Sequence, residues 1–129
     1  GKPADQWIAD DAWIAFDFIP TVARRGAAVI AARGRSSAAS AANATIAHVR
    51  DWLLGTPGGD WTSMAVVSDG SYGVPAGLVS SFPVRCCDSE WEIVLGLPLN
   101  AFARSRVNVS VDELKSEAEE VRSMGLLPV

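Results

Sequence analysis

The only histidine of the chain, His48, stands three residues before Asp51 and follows two adjacent serines, Ser36 and Ser37. A serine, a histidine and an aspartate brought together could carry out nucleophilic acyl transfer. The segment around Ser36 lacks the G-x-S-x-G turn that exposes such a nucleophile, and His48 and Asp51 fall on one helical stretch. We therefore interpret His48 as a residue of a partly exposed helix face and not as a catalytic base.

Metal and phosphate chemistry are equally poorly supported. One histidine and the adjacent cysteines Cys86 and Cys87 do not supply three or four metal ligands at a recognised spacing. Neighbouring cysteines are also poorly placed to bridge each other, and the chain has no other cysteine. No glycine-rich phosphate loop is present. We expect no metal ion and no disulfide, which favours a reducing, cytoplasmic location.

Ser36, Ser40 and Asn43 follow each other at spacings of four and three, so on a helix they would share one stripe. Near a helix N-terminus, where amides are free and the helix dipole is positive, such a stripe could face a carboxylate. The same small residues could instead form a face for close helix packing. The spacing alone leaves both interpretations open.

Composition limits the classes of function. The 129 residues are 49% hydrophobic and 20% charged, which suits one compact domain over residues 1–129. The net charge of -4 argues against a nucleic-acid partner. No apolar run approaches the roughly 18 residues of a membrane span, and no signal peptide is evident. The most closely grouped basic residues are interpreted as part of a solvated helix face: Arg24, Arg25, Arg33 and Arg35.

The N-terminal part has the three- and four-residue apolar spacing of helices. A helix is predicted from Asp11 to Arg33 with a break or kink near Ile19, because Pro20 removes one backbone hydrogen bond. Gly34 is predicted to cap its C-terminus.

A second helix is predicted to begin at a cap formed by Ser36 or Ser37 and to end at Gly55. Its alanines between positions 38 and 47 allow close approach to a neighbour, inside the domain or across a subunit interface.

Short runs rich in valine, isoleucine and aromatic residues then predict three antiparallel strands in a meander: Trp61–Ser68, Leu78–Cys86 and Trp91–Leu97. Pro83 is expected at a sheet edge or a bulge, and Asp88 with Ser89 at the tip of a hairpin.

The capping-box pattern from Ser110 to Glu113 predicts the start of a last helix, which Gly125 ends before Pro128. A shorter helix is expected before it, over 100–107. The predicted fold class is α+β, with helices packed on an antiparallel sheet.

Four ordered blocks carry a resemblance to a known family. They read FIPTVARRGAA and ARGRSSAASAAN at 18–28 and 32–43, DWLLGTP at 51–57, SDGSYGVP and SFPV at 68–75 and 81–84, and GLPL at 96–99. Together they resemble the C-terminal half of NAD-dependent malate dehydrogenases of the cytosolic type, in the lactate/malate dehydrogenase superfamily. The resemblance covers essentially the whole chain.

The resemblance implies a substrate-binding domain that pairs with an N-terminal Rossmann half to interconvert L-malate and oxaloacetate with NAD. In that family the dinucleotide-binding glycines, the substrate-clamping arginines and the Asp-His proton relay lie upstream of the matched region. We therefore expect no Rossmann domain and assign no catalytic residue in this chain.

The resemblance also implies roles for residues of the serine-rich segment. Ser36 matches the position that lines the substrate pocket, and Ser40 matches the one that approaches the nicotinamide end of the cofactor. Gly34 and Ser37 belong to the same turn and shape it. A homodimer is expected through the helix at 36–54.

Two functional hypotheses follow. The chain is either the substrate-binding half of a malate dehydrogenase, inactive without its cofactor-binding half, or a non-catalytic dimerisation or interaction module derived from that domain. Within enzymes, a lactate dehydrogenase is the nearest alternative.

Overall fold

The computed structural model describes residues 4–126, apart from the side chain of Asp5. Contacts within the chain divide it into two compact units, Gly1–Thr45 and Ile46–Val129, which we call unit 1 and unit 2. That residues 1–129 form one domain remains a prediction. Pro128, which follows the predicted end of the last helix, lies outside the described residues.

Unit 1 is helical. It contains α1 (Ala4–Ile8), α2 (Asp11–Trp13), a π-helical turn (Ile14–Phe18), α3 (Ile19–Ala23), α4 (Arg25–Arg33) and the beginning of α5 (Ala39–Leu54). Helix α1 was not predicted from the sequence. Asp10 caps α2, where its carboxylate accepts a 2.8 Å hydrogen bond from the backbone N–H of Trp13.

The long N-terminal helix is irregular in two places. The π-helical turn immediately precedes α3, and Pro20 occupies its first turn, where a missing N–H costs little. The helix then breaks again at Arg24, which separates α3 from α4. The predicted irregularity near Ile19 is confirmed, and the chain forms several short pieces instead of two.

The turn between α4 and α5 begins as predicted. Gly34 has φ 71°, and its N–H donates a 2.8 Å hydrogen bond to the Ile30 carbonyl. The predicted serine cap is wrong: α5 starts at Ala39, and the Ala38 carbonyl accepts the hydrogen bond of the Ala42 N–H at 2.9 Å. Ser36 and Ser37 therefore lie in the connecting loop, ahead of the cap position.

Unit 2 contains the sheet. Its strands β1 (Thr62–Val67), β2 (Val79–Cys87) and β3 (Glu90–Ile93) are antiparallel in the order β1-β2-β3, so the predicted meander is confirmed. Asp88 and Ser89 form the predicted tip, with φ 52° and 68°, the left-handed conformation of a tight two-residue hairpin turn.

Pro83 lies in the middle strand β2 and not on an edge strand. Its carbonyl accepts a 2.8 Å hydrogen bond from the N–H of Val94, just past the end of β3. The β2–β3 ladder ends with the neighbouring pair Val84 and Ile93. Pro83 therefore stands opposite Val94 and has no N–H to return a hydrogen bond to the Val94 carbonyl. The Tyr72 hydroxyl donates to that carbonyl instead, so it keeps a partner.

The last helix, α6 (Ala101–Ser123), is continuous, so the predicted start at Ser110 is wrong. The true cap is Asn100, whose side-chain oxygen accepts a 2.8 Å hydrogen bond from the Ala103 N–H. No glycine or proline interrupts the segment, and the sequence pattern of a capping box does not by itself end a preceding helix. The predicted end at Gly125 is confirmed, with φ 71° and a hydrogen bond to the Arg122 carbonyl.

The core lies between one face of the sheet and the inner face of α6. Phe82 and Val84 are its largest fully buried side chains, and Val111 of α6 packs against the same cluster. The remaining buried members of the cluster are Met64, Val66, Val74 and Cys86. The α+β class, with helices and a three-stranded antiparallel sheet, is therefore confirmed.

Candidate functional site

The residues implied to contact substrate and cofactor lie on one short stretch of unit 1. Gly34, Ser36 and Ser37 belong to the loop over 34–38, and Ser40 is the second residue of α5. All four are exposed. The left-handed Gly34 ends α4 and turns the chain, so the serines stand between the end of one helix and the start of the next.

The start of α5 is electrostatically suited to an anion. The first amides of a helix have no partner within the helix, and the helix dipole places partial positive charge there. The first turn of α5 contains no acidic residue, and its side chains are alanines and Ser40. Small neighbours leave space around the Ser40 hydroxyl, which can donate or accept a hydrogen bond.

The predicted stripe of three polar residues is only partly correct. Ser40 and Asn43 are three apart on α5 and share a face, but Ser36 precedes the helix by three residues and cannot belong to that stripe. The structure therefore brings Ser36 together with Gly34 and Ser37 on the loop, and Ser40 together with Asn43 on the helix. Their predicted binding roles stay predictions.

His48 and Asp51 do not form a catalytic pair in the described part of the chain. Asp51 instead binds Arg50, whose Nε and Nη2 lie 3.1 and 2.9 Å from the same Asp51 oxygen. His48 is half-buried on α5, in agreement with the interpretation as a residue of a helix face.

The two cysteines have different environments. Cys86 is buried, with its Sγ 3.5 Å from the sulfur of Met64, whereas Cys87 is exposed beside the carboxylate of Asp88. Burial raises the pKa of the Cys86 thiol, and the negative charge of Asp51 raises it further. A buried thiol held in its neutral form is a poor nucleophile, which favours a packing role for Cys86.

Tyr72 is the centre of a hydrogen-bond network that sequence reasoning missed. Its hydroxyl donates to the Val94 carbonyl and accepts from the Leu97 N–H, while Arg104 of α6 donates to its carbonyl oxygen. Tyr72 has φ 56°, uncommon for a residue other than glycine. The network joins the β1–β2 connection, the end of β3 and α6, so its evident role is structural.

The Tyr72 ring also borders a cavity of about 220 Å³ in unit 2. Its lining is mainly apolar and contains no acidic or basic side chain; it includes Val74, Phe82, Leu97, Leu99 and Val107. Its polar lining residues are Tyr72 and three serines, Ser63, Ser80 and Ser81, so the cavity has hydroxyl groups but no charged group to bind an anion. The residues that could act on an anionic substrate are those of the loop and α5.

Among the described residues, no three or more histidine, cysteine, aspartate or glutamate side chains form a group that could hold a metal ion. No helix in this part of the chain is long and apolar enough to cross a membrane.

The sequence matches the family model of the lactate/malate dehydrogenase α/β C-terminal domain over residues 2–124. The chain belongs to this family. The lactate/malate dehydrogenase C-terminal domain thus accounts for nearly all of the chain, including the loop and α5.

Individual relatives give the same result for this lactate/malate dehydrogenase domain. A malate dehydrogenase of Rhodococcus opacus is 61% identical over 119 residues, which cover 92% of this chain and 36% of the relative. A crystal structure of malate dehydrogenase from Naegleria fowleri has a TM-score of 0.85 at 47% identity and covers 98% of this chain and 37% of that one. A lactate dehydrogenase of Trichomonas vaginalis, solved with NADH and oxamate, has a TM-score of 0.82 at 30% identity, over 92% of this chain and 37% of that one.

The chain therefore spans just over a third of the length of the relatives it matches. The shared domain is established, and NAD is the cofactor that the family uses.

Proposed function

We propose that this chain is the substrate-binding C-terminal half of an NAD-dependent malate dehydrogenase of the cytosolic type, which interconverts L-malate and oxaloacetate when paired with a cofactor-binding Rossmann half. The 61% identity to the Rhodococcus opacus malate dehydrogenase over 92% of the chain carries this proposal. Two free cysteines and no disulfide among the described residues support a cytoplasmic location.

The chain's own contribution is to bind and orient. Ser36 forms part of the substrate pocket wall, Gly34 and Ser37 hold the loop that presents it, and the Ser40 hydroxyl hydrogen-bonds near the nicotinamide end of NAD. The bound cofactor supplies hydride transfer. The exposed hydroxyls, the free amides and the acid-free first turn of α5 fit polar and anionic groups. Proton transfer falls to the other half, so the chain alone has no dehydrogenase activity.

A second candidate function is a non-catalytic dimerisation module. Helix α5 exposes Ile46, Val49 and Leu53, which are spaced by three and four residues and so lie on one face. An exposed apolar helix face is typical of an interaction surface. We propose that a second copy of the chain packs on α5, which begins at Ala39 and not at 36 as predicted for the dimer helix, whether or not the chain also takes part in catalysis.

The decisive experiment replaces the C-terminal domain of the Rhodococcus opacus malate dehydrogenase with this chain. We refer to the product as the chimera. Its oxidation of NADH with oxaloacetate is measured against that of the isolated chain, with pyruvate as the alternative substrate. Turnover with oxaloacetate by the chimera, and none by the isolated chain, is the expected result.

Other outcomes exclude parts of the proposal. A chimera that folds and dimerises but has no activity favours the interaction module. Preference for pyruvate would assign the domain to a lactate dehydrogenase. Sustained turnover by a homogeneous sample of the isolated chain would contradict the proposal that catalysis requires the cofactor-binding half.

A further inference from the structure

Charge is strongly segregated along this chain. Although its net charge is -4, residues 18–50 contain five arginines and no acidic residue. All fifteen aspartates and glutamates lie outside this stretch. The loop over 34–38 falls in the middle of the acid-free stretch, so it is the part of the sequence furthest from the chain's own carboxylates.

Arg35 occupies the centre of this arrangement. It lies within the loop, between Gly34 and Ser36, and it is exposed. Its Cα is about 3.8 Å from that of Ser36, the spacing of consecutive residues. Among the described residues, the ion pairs involve Arg50, Lys115 and Arg122, and no carboxylate lies within 4.0 Å of the Arg35 guanidinium.

A structural role explains the neighbouring Arg33 better than it explains Arg35. Arg33 lies in the last turn of α4, where a positive side chain is favoured by the helix dipole and the unpaired carbonyls. Arg35 follows the C-cap Gly34, makes no ion pair in the described chain and is exposed. Its charge is therefore available to an incoming ligand.

We propose that Arg35 guides the anionic substrate to the loop and raises its local concentration there, an inference that rests on the proposed function. Oxaloacetate and malate carry two negative charges at neutral pH, so an unpaired guanidinium beside the pocket wall attracts them before they bind. Arg35 is a positioning residue in this proposal and takes no part in hydride or proton transfer.

The test measures kcat/KM for oxaloacetate in the chimera over an ionic-strength series from about 0.02 to 0.5 M. At about 0.1 M, where the Debye length is roughly 10 Å, Arg35→Ala is expected to lower kcat/KM by about threefold with kcat unchanged. The loss shrinks towards 0.5 M as salt screens the charge, and Arg35→Lys keeps most of the wild-type value.

Arg25→Ala is the matched control, because it removes the same charge from the start of α4, about 13 Å along the helix axis from its end. It is expected to change kcat/KM by less than about 1.5-fold at 0.1 M. Equal effects of the two variants would mean that net charge matters and local guidance does not, which overturns the proposal.

The failures of the two proposals are distinguishable. An active chimera whose kcat/KM and salt dependence survive Arg35→Ala refutes the guiding role and leaves the proposed function intact. A loss of kcat with unchanged KM also refutes it, since guidance acts before binding. A folded chimera that does not reduce oxaloacetate overturns both.

Discussion

The indole Nε1–H of Trp52 donates a 3.0 Å hydrogen bond to the carbonyl oxygen of Ser89, so the last turn of α5 is attached to the tip of the β2–β3 hairpin. The two residues are 37 positions apart in the sequence. The hairpin tip has no partner strand beyond it, and this bond satisfies one of its exposed carbonyls.

Trp52→Phe is expected to lower the free energy of unfolding by about 0.5–1.5 kcal/mol more than a tryptophan-to-phenylalanine change that costs no hydrogen bond, because it removes the N–H donor as well as part of the indole surface. Trp91→Phe is the control, since Trp91 is also 40% exposed and donates no such bond in the described chain. Urea denaturation, monitored by circular dichroism, measures the free energy of unfolding of both variants. Equal losses would show that ring packing, and not the hydrogen bond, holds α5 to the hairpin.

Gly55 makes a second attachment of α5 to the sheet. It has φ 90°, and a Cβ at this position would lie 3.1 Å from the Cys86 carbonyl oxygen. The adjacent Thr56 N–H donates a 3.0 Å hydrogen bond to that same oxygen. The left-handed backbone lets the chain leave α5 and meet β2 at once, and only glycine adopts it without strain.

Gly55→Ala is therefore expected to destabilise the fold by about 1–3 kcal/mol through backbone strain and the close contact. Gly58→Ala, three residues later, should stay within about 0.5 kcal/mol, because that glycine has ordinary φ and no atom within 4 Å of an added Cβ. Thermal and urea unfolding of the two variants test this. A small loss of stability in Gly55→Ala would mean that the contact between the end of α5 and β2 can shift at little cost in free energy.

The raised pKa of the Cys86 thiol has a consequence for stability at alkaline pH. In the unfolded chain the thiol loses its proton near the ordinary pKa of 9.0, whereas the folded chain retains it to higher pH. The unfolded state then binds fewer protons, so the free energy of unfolding falls as pH rises above about 9. Cys86→Val should reduce this decline, and Cys87→Val, at an exposed site, should not. Urea midpoints at pH 7 to 10.5 provide the measurement, and identical slopes for all three proteins would refute the assignment.

Iodoacetamide labelling gives an independent check on the two thiols. Cys87 is exposed and should react in the native chain, whereas Cys86 should react only after unfolding. Peptide mass spectrometry before and after addition of urea distinguishes them. Rapid native labelling of Cys86 would show that the sheet opens easily at β2.

Local patterns predicted the sheet because its signals are local. The strand propensities and the two-residue turn at Asp88 and Ser89 act over a few residues, and neither needs knowledge of the rest of the chain. Pro83 was harder, because a proline is tolerated in this middle strand where the Tyr72 hydroxyl donates to the Val94 carbonyl, the group that an N–H at position 83 would have met. The capping-box pattern at Ser110 wrongly predicted a new helix. Val107 and Val111, one turn apart, lie on the same face of α6 and both contact the core, so the helix continues through Ser110.

The candidate site, unlike the sheet, could not be predicted from local patterns. Nothing local distinguishes Ser36 or Ser40 from a small-residue packing face, and their implied roles came from resemblance across the whole chain. The start of α5 could not be fixed either, since two serines next to each other gave two plausible caps and the helix begins after both. The hydrogen bond of Arg104 to the Tyr72 carbonyl joins residues 32 positions apart, which no local pattern predicts.

Ser36→Leu in the chimera separates the enzymatic function from the assembly function. A leucine in the proposed pocket wall removes a hydroxyl and adds bulk, so KM for oxaloacetate should rise by about tenfold or more, equivalent to about 1.4 kcal/mol of binding. Ser116→Leu, at an exposed position of α6, should leave KM unchanged. Light scattering after size exclusion reports the oligomeric mass of both. A change of mass without a change of KM would favour the dimerisation module, because the loop would then contact a second subunit and not the substrate.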